Sequence, residues 1–219
     1  MPAMILAAGR GERLRPITDT TPKALVEVGG SSLIEQQLER LARAGITSVV
    51  INLGWLGEQI AQRIGSGEKY GVEVVFSPEY AQILDTGGGI YRALPLLGSA
   101  PFWVLNADIH SDIELPDIRL RPQSLAHLVL VPRPAHRQSG DFSLTDGLVG
   151  NSGERNLTFS GLAFYRPEFF ADAAGGRFSV VPLMRAAADG GQLEGSVYRG
   201  VWQDVGTPER LAALTQCSR

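Results

Sequence analysis

Cysteine and histidine are scarce in this chain. Of its 219 residues, only Cys217 is a cysteine and three are histidines. A lone cysteine can form neither an internal disulfide nor a cysteine metal cage, and it favours a reducing, cytoplasmic location. The chain also shows no Ser/His/Asp or Cys/His arrangement, so nothing indicates a nucleophile activated by histidine.

Long apolar runs and an excess of positive charge are also missing. No stretch is long enough to cross a bilayer, and the apolar segment 3–8 lacks the basic flank and the length of a secretion signal. The net charge is -3 and the sequence pI is near 5.7, which argues against a nucleic-acid or anionic membrane partner. We therefore expect the local basic clusters to bind small anions.

Apolar strand patterns alternate with helical patterns through the first half of the chain. This alternation predicts an α/β fold: a Rossmann-like, doubly wound, mostly parallel mixed sheet with helices on both faces. The length suits one domain, residues 1–219. The predicted strands are 3–8, 48–51, 72–76 and 102–105, and the predicted helices are 32–44, 56–64 and a short one after Gly89.

The second half of the chain is less regular. We interpret it as an extension of the same sheet, with any domain boundary falling at 115–123. Segments 133–140 and 148–155 are rich in polar residues, Gly and Pro and are predicted loops. The predicted strands are 126–131, 142–148 and 157–165, and the predicted helices are 180–188 and 208–215.

The apolar start of the chain breaks into a cationic, glycine-containing loop. Gly9 and Gly11 let backbone N–H groups face an anion, while Arg13 and Lys23 bring positive charge. No Gly-Lys-Ser/Thr follows, so this is not a Walker loop, and the missing third glycine and Pro16 make it a poor dinucleotide fingerprint. A triphosphate site is the preferred interpretation, and a simple tight turn is the alternative.

Two aspartates follow apolar segments in distant parts of the chain. Asp108 comes just after strand 102–105, and Asp204 precedes a helix for which Thr207 and Pro208 supply the N-cap and first position. Asp204 is therefore not needed as the cap. Carboxylates at strand ends are the hard oxygen donors that Mg²⁺ prefers, although each aspartate could instead stabilise a turn.

A run of three glycines, residues 87–89, lies between the N-terminal loop and Asp108. Three consecutive glycines leave room for a flat group against bare backbone, so we interpret them as part of a nucleoside pocket leading into a helix. A flexible linker is the alternative. His110 could contact a metal or substrate, but His110, His127 and His136 are all more simply structural or solvated.

Five motifs in this order resemble those of the sugar-1-phosphate nucleotidyltransferases. They are Gly-Arg-Gly-Glu-Arg-Leu-Arg-Pro at 9–16, Pro-Lys-Ala-Leu at 22–25, Leu-Asp-Thr-Gly-Gly-Gly at 84–89, Asn-Ala-Asp at 106–108 and Trp-Gln-Asp-Val-Gly-Thr at 202–207. The resemblance implies transfer of a nucleotidyl group from a nucleoside triphosphate to a sugar 1-phosphate, with Mg²⁺ as cofactor, by an enzyme of the nucleotide-diphospho-sugar transferase fold. The lack of a long C-terminal extension favours a monomer.

The resemblance also assigns roles to individual residues. Arg13, Lys23 and Asp108 are the implied catalytic residues, and Asp108 and Asp204 the implied metal ligands. The implied nucleotide-binding set comprises Ala7, Ala8, Gly9, Gly11, Arg13, Lys23, Gly87, Gly88 and Asn106. The implied substrate-binding set comprises Asp85, Thr86, Ser160 and Gly161.

Several positions depart from the common family pattern. Ala24 replaces a proline, Ala107 a glycine, Asp85 a glutamate, and Glu12 stands where larger relatives often have threonine. These changes bear most on the identity of the sugar. Within the family, the resemblance favours members that use UTP and N-acetylmuramic acid α-1-phosphate in bacterial peptidoglycan recycling. Thymidylyl, guanylyl or cytidylyl transfer to another sugar, heptose, polyol or choline phosphate, and a non-catalytic nucleotide-sensing subunit, are the alternatives.

Overall fold

The structure, a computed structural model, describes residues 1–135 and 137–217. His136 lies outside the described residues. The helices are α1 (Leu33–Arg43), α2 (Gly57–Ile64), α3 (Asp85–Leu97), α4 (Val181–Asp189) and α5 (Pro208–Cys217). The strands are β1 (Pro2–Leu6), β2 (Glu27–Val28), β3 (Ser31–Ser32), β4 (Ser48–Leu53), β5 (Glu73–Pro78), β6 (Phe102–Asn106), β7 (Ile109–Ser111), β8 (Ala126–Pro132), β9 (Ser143–Thr145), β10 (Leu148–Gly150), β11 (Leu157–Tyr165), β12 (Leu193–Val197) and β13 (Trp202–Asp204).

A nine-stranded sheet runs through the molecule in the order β5-β4-β1-β6-β11-β8-β12-β10-β9. The first four of these strands are parallel to one another, and β11 then pairs antiparallel with both β6 and β8. Chain order reverses on either side of β1, which is the arrangement of an open, doubly wound sheet. The predicted fold class is confirmed.

Helices cover both faces of this sheet. Ile5, Ile51 and Leu105 belong to a buried cluster with apolar residues of α1 and α2. Their neighbours Met4 and Val104 point to the opposite face and join a second cluster with apolar residues of α3 and α4. Because successive residues of a strand point to opposite faces, the near-continuous apolar runs of β1, β4 and β6 supply both clusters.

Two local predictions were wrong. The segment predicted as one strand at 142–148 is a hairpin of β9 and β10, joined by Asp146 and Gly147 with φ of 52° and 78°. Asp-Gly is a strong signal for a two-residue hairpin turn, which the apolar pattern alone conceals. The third helix does not begin after Gly89 but at Asp85, so the glycine run lies inside it.

A buried carboxylate, that of Glu35, holds the N-terminus of α1 in place. Glu35 accepts hydrogen bonds from the Ser32 N–H at 2.9 Å, the Tyr70 hydroxyl at 2.6 Å and Arg63 Nε at 3.1 Å. Burial alone would raise the pKa of Glu35, but these donors outweigh burial and lower the pKa from 4.5 to about 2. The charged carboxylate therefore stabilises the fold at neutral pH.

Within the described residues, no helix combines the length and the apolar character that crossing a bilayer requires.

Replacing Glu35 by Gln is expected to lower the free energy of unfolding at pH 7 by on the order of 2 kcal/mol. A carboxyl with a depressed pKa contributes stability that is fully present above pH 4.5 and is lost as the pH falls toward about 2. The difference between wild type and Glu35→Gln should therefore shrink over that window in thermal unfolding. Glu39→Gln, at an exposed position of the same helix, is the matched control; a pH-independent difference would contradict the account.

Candidate functional site

An open cleft of about 850 Å³ lies at the carboxyl ends of β1 and β6. These strands are neighbours in the sheet, with Leu6 opposite Asn106, so the segments that follow them emerge side by side. In open α/β sheets, ligands bind in the crevice outside the carboxyl ends of the strands, at the point where the strand order reverses. Of the predicted site residues, Ala7, Ala8, Gly9, Gly11, Arg13, Lys23, Asp85, Thr86, Asn106 and Asp108 line this cleft.

The loop after β1 presents unused backbone donors to the cleft. In the described part of the chain, the N–H groups of residues 9–11 donate to no protein acceptor. A Cβ placed on Gly9 would meet no described atom within 4 Å, so open space adjoins this position. Gly11 has φ of 66°, and a Cβ there would come within 3.0 Å of Lys23. The loop thus offers the N–H groups and the clearance that phosphate oxygens need.

Four cations surround this loop. Lys23 forms an ion pair with Asp108, and both side chains are mostly buried. Arg10 lies over the ring of Trp55 at 4.3 Å. Arg13 and Arg177 also line the cleft. Arg177 was not predicted, because it stands alone in an irregular segment outside the five motifs, about 30 residues from Gly206, the nearest motif residue that lines the cleft.

A buried polar chain holds the opposite wall of the cleft in place. The Ala7 N–H donates to Asn52 Oδ1 at 2.7 Å, Asn52 Nδ2 donates to Glu79 Oε1 at 2.8 Å, and the Leu84 N–H donates to Glu79 Oε2 at 2.8 Å. Asn52 and Glu79 are each 3% exposed. These hydrogen bonds link the ends of β1 and β4 to the start of α3. They also occupy the N–H of Ala7, one of the predicted nucleotide contacts.

Neither residue of this polar chain was predicted from the sequence. A usable signal existed, because Asn52 falls near the end of a strand that is otherwise apolar and Glu79 directly follows the next strand. Carboxyl ends of adjacent parallel strands meet at one edge of the sheet. Polar residues at both ends therefore indicate a shared site.

The glycine run packs against protein rather than lining the cleft. A Cβ on Gly87 would lie 2.4 Å from the Phe178 ring, and one on Gly88 would lie 2.1 Å from the carbonyl of Gly176. The Gly88 N–H donates to the Phe178 carbonyl at 3.0 Å. These glycines allow α3 to approach a neighbouring segment closely. The nucleoside contacts at Gly87 and Gly88 stay a prediction.

The third glycine of the run has a different neighbour. A Cβ on Gly89 would lie 2.7 Å from Glu79 Oε1 and 2.9 Å from Asn52 Nδ2, so this glycine makes room for the buried polar chain. Asp85 has φ of 63°, and the Thr86 hydroxyl accepts a hydrogen bond from the Val180 N–H at 3.0 Å. The run therefore shapes the wall of the cleft from behind, while Asp85 and Thr86 face it.

The two predicted metal ligands are brought to one place. Strand β13 pairs with β7, with Asp204 opposite Ile109, and the Val205 N–H donates to the Asp108 carbonyl at 2.9 Å. Asp108 and Asp204 both line a smaller cavity of about 290 Å³ beside the main cleft. Their exposed fractions, 30% and 20% for the side chains, leave oxygens accessible from that cavity.

Asp204 has a partner that the sequence did not suggest. Arg210 Nη1 donates to both carboxylate oxygens of Asp204, at 2.5 and 2.6 Å. The two residues stand six positions apart across the start of α5, so helical periodicity alone does not relate them. Each aspartate is therefore charge-balanced by one cation, Lys23 or Arg210.

Strand β11 has a bulge between Phe159 and Leu162. This bulge places the two predicted sugar contacts, Ser160 and Gly161, on different sides. Gly161 lines the smaller cavity and has φ of 88°; a Cβ there would lie 3.0 Å from Asn106 Nδ2. Ser160 is fully buried, and its hydroxyl accepts the Leu162 N–H at 3.2 Å while its carbonyl accepts Trp202 Nε1 at 2.8 Å. Ser160 therefore supports the cavity wall from behind.

The described histidines are structural. His110 Nδ1 lies 2.8 Å from Gln36 Oε1, and burial together with the charge of Arg40 lowers the pKa of His110. His127 Nε2 lies 2.9 Å from the Ser196 hydroxyl. The structural interpretation is thus supported for both residues.

A family model and curated sequences both match this chain. The model of the family described as nucleotidyl transferase matches residues 2–140. An N-acetylmuramate alpha-1-phosphate uridylyltransferase from Neisseria meningitidis serogroup B is 48% identical over 220 residues, covering 96% of this chain and 95% of that protein. A protein of the same name from Caulobacter vibrioides is 36% identical, covering 96% of this chain and 94% of that protein.

Solved structures share the fold. A putative glucose-1-phosphate thymidylyltransferase from Bacillus anthracis superimposes with a TM-score of 0.86 at 20% identity, covering 100% of this chain and 96% of that chain. At this identity the likeness concerns the fold alone. Together with the family match and the near full-length relatives, it confirms the resemblance carried by the five motifs. The chain belongs to the sugar-1-phosphate nucleotidyltransferases of the nucleotidyl transferase family.

Proposed function

We propose that this chain is a cytoplasmic enzyme that transfers the uridylyl group of UTP to N-acetylmuramic acid α-1-phosphate, giving the UDP-sugar and pyrophosphate. The observation that carries the proposal is 48% identity to a uridylyltransferase of that specificity over 96% of this chain and 95% of the relative. A role in bacterial peptidoglycan recycling follows from the same substrate. The cleft supports the reaction type with unused backbone donors and four cations, and the two carboxylates converge on the smaller cavity beside it.

The triphosphate would bind along the loop after β1. The N–H groups of residues 9–11 and the charges of Arg13 and Lys23 are placed to receive phosphate oxygens. The ion pair with Asp108 holds the Lys23 ammonium at the wall of the cleft. It is therefore already in position for the negative charge that would develop on the phosphates. Such preorganised donors stabilise the transition state without reorganising during the reaction.

The acceptor needs no catalytic base. A phosphate monoester has a second pKa of about 6, so the sugar phosphate is mostly a dianion at neutral pH. One of its oxygens attacks the α-phosphorus in line, the bond to the β-phosphate oxygen breaks, and pyrophosphate leaves with the electron pair. The absence of a histidine from the cleft-lining residues in the described part of the chain is consistent with this route.

The donor set at Asp108 and Asp204 fits Mg²⁺. Both are oxygen ligands on one cavity, and each carries a cation that a metal or phosphate would displace or share. We propose that these two side chains hold the ion, which would neutralise phosphate charge and orient the two reacting groups. The protein's own part is to keep Asp108 and Asp204 together through the β7/β13 pairing.

We also propose that one domain acts as a monomer. The nine-stranded sheet is continuous, and both halves of the chain contribute strands to it. Size-exclusion chromatography with light scattering should give a mass near 23.5 kDa. A mass of twice that value at micromolar concentration would overturn this part of the proposal.

The substrate assignment is tested by pyrophosphate release with Mg²⁺. UTP, dTTP, CTP and GTP should each be paired with the 1-phosphates of N-acetylmuramic acid, N-acetylglucosamine, glucose and mannose. We expect the highest kcat/KM for UTP with N-acetylmuramic acid 1-phosphate. Activity only with another pair would retain the reaction type and overturn the substrates, whereas no release with any pair would favour a non-catalytic nucleotide sensor.

Asp108→Asn should lower kcat by at least about 100-fold, because it removes a charge from the reacting centre. The substitution preserves size and leaves Lys23 a neutral acceptor, so the thermal unfolding midpoint should change little. Asp117→Asn is the matched control, since the Asp117 side chain is 88% exposed. Asp108→Asn turnover within about threefold of wild type would remove Asp108 from the catalytic centre.

A further inference from the structure

The smaller cavity next to Asp108 and Asp204 contains two arginines that the proposed chemistry at phosphorus does not use. Arg137 belongs to the loop after β8, and Arg185 belongs to α4. Both line the cavity together with Phe159 and Gly161 of the β11 bulge. Because Gly161 is an implied sugar contact, the cavity is the place where the sugar ring would lie. A role for these arginines in binding the sugar rests on the proposed function.

The charge of Arg137 is neutralised by a partner within the protein, Asp141. Its Nη1 lies 3.2 and 3.3 Å from the two carboxylate oxygens of Asp141. The same carboxylate accepts the Phe159 N–H at 3.0 Å. This ion pair therefore closes the loop onto β11, and its net charge is zero.

Arg185 is held in a different way. Its Nη1 donates to the Asp141 carbonyl at 3.0 Å and to Asn151 Oδ1 at 2.8 Å, and its guanidinium lies 4.8 Å from the centre of the Phe142 ring. All of these partners are neutral groups. Among the ion pairs of the described residues, none involves Arg185, and its hydrogen bonds there all leave from Nη1.

The charges around the cavity balance except at this residue. Lys23 pairs with Asp108, Arg210 with Asp204 and Arg137 with Asp141. Arg185 is left as a positioned cation whose Nε and Nη2 make no hydrogen bond to the residues that the structure describes. A planar guanidinium fixed on one edge can bind a carboxylate with two parallel hydrogen bonds from the other edge.

We propose that Arg185 binds a carboxylate carried by the sugar and so selects an acidic sugar 1-phosphate. In N-acetylmuramic acid that group is the carboxylate of the lactyl ether, which N-acetylglucosamine lacks. The phosphate of the same molecule would lie near Asp108 and Asp204 on another wall of the cavity, where Lys23 and the ion that the two carboxylates would hold supply positive charge. Selectivity would then arise because the neutral sugar leaves the Arg185 charge without a partner.

The test compares acceptors that differ only at this carboxylate. Wild type and Arg185→Gln would be assayed with UTP and N-acetylmuramic acid 1-phosphate, its lactyl carboxamide and N-acetylglucosamine 1-phosphate. For wild type we expect the ratio of kcat/KM between acid and amide to be roughly 30 to 100. In Arg185→Gln this ratio should fall toward one, mainly through a higher KM for the acid. Arg92→Gln, at an exposed position on α3, is the control and should keep the wild-type ratio.

The competing explanation is that Arg185 has a structural role only and holds Asn151 and the β9/β10 hairpin in position. It predicts equal losses for all three acceptors with the acid-to-amide ratio unchanged, and that result would overturn the proposal. UTP affinity by calorimetry and the thermal unfolding midpoint report whether Arg185→Gln is folded. If it is not, Arg185→Lys replaces it. This variant should lower the acid-to-amide ratio of kcat/KM at least threefold, because the planar pair of guanidinium donors is lost while the positive charge remains.

Two wild-type results are decisive by themselves. An acid-to-amide ratio below about three would show that no group in the cavity recognises the carboxylate, which overturns the proposal even if uridylyl transfer occurs. No transfer to any of the three acceptors would overturn the proposed function and this inference together. The first failure leaves an active enzyme and the second does not, so the two are distinguishable.

Discussion

The parallel pairing of β1 with β6 is the constraint on which the site depends. It sets Leu6 opposite Asn106, so a loop near the start of the chain and an aspartate about 100 residues later leave the sheet as neighbours. Lys23 then joins the two segments through its ion pair with Asp108. Everything proposed about catalysis follows from this adjacency. The groups that bind phosphate oxygens and the carboxylates that would hold the metal must act on the same triphosphate.

Much of the wall behind the site consists of polar and glycine residues that support ligand-facing ones. Asn52 and Glu79 link three parts of the fold by hydrogen bonds with nearly complete burial. Gly89 is required there because a side chain would collide with both of them. A buried polar group is costly unless it is satisfied, and here each one is engaged. Precision at the cleft therefore depends on residues that no ligand needs to touch.

The sequence predicted the features that leave a local pattern. Apolar runs identified the parallel strands, and ordered motifs singled out Arg13, Lys23 and Asp108, which line one cleft. Residues such as Asn52, Arg177, Arg185 and Arg210 were missed because their roles arise from contacts between distant segments. The packing of the glycine run was missed for a related reason: composition shows that close approach is needed, but not that Phe178 makes one such approach.

The small sheet of β7 and β13 stands apart from the nine-stranded sheet. Because the Val205 N–H is bonded to the Asp108 carbonyl, the backbones that carry the two carboxylates form one mechanical unit. The Trp202 ring extends this unit to Ser160 behind the bulge. Helix α4, with Arg185, belongs to a different wall. With the roles proposed above, a change in the α4 wall would alter the contacts to the sugar while the spacing of Asp108 and Asp204 stays constant, so acceptor preference could evolve separately from the reaction itself.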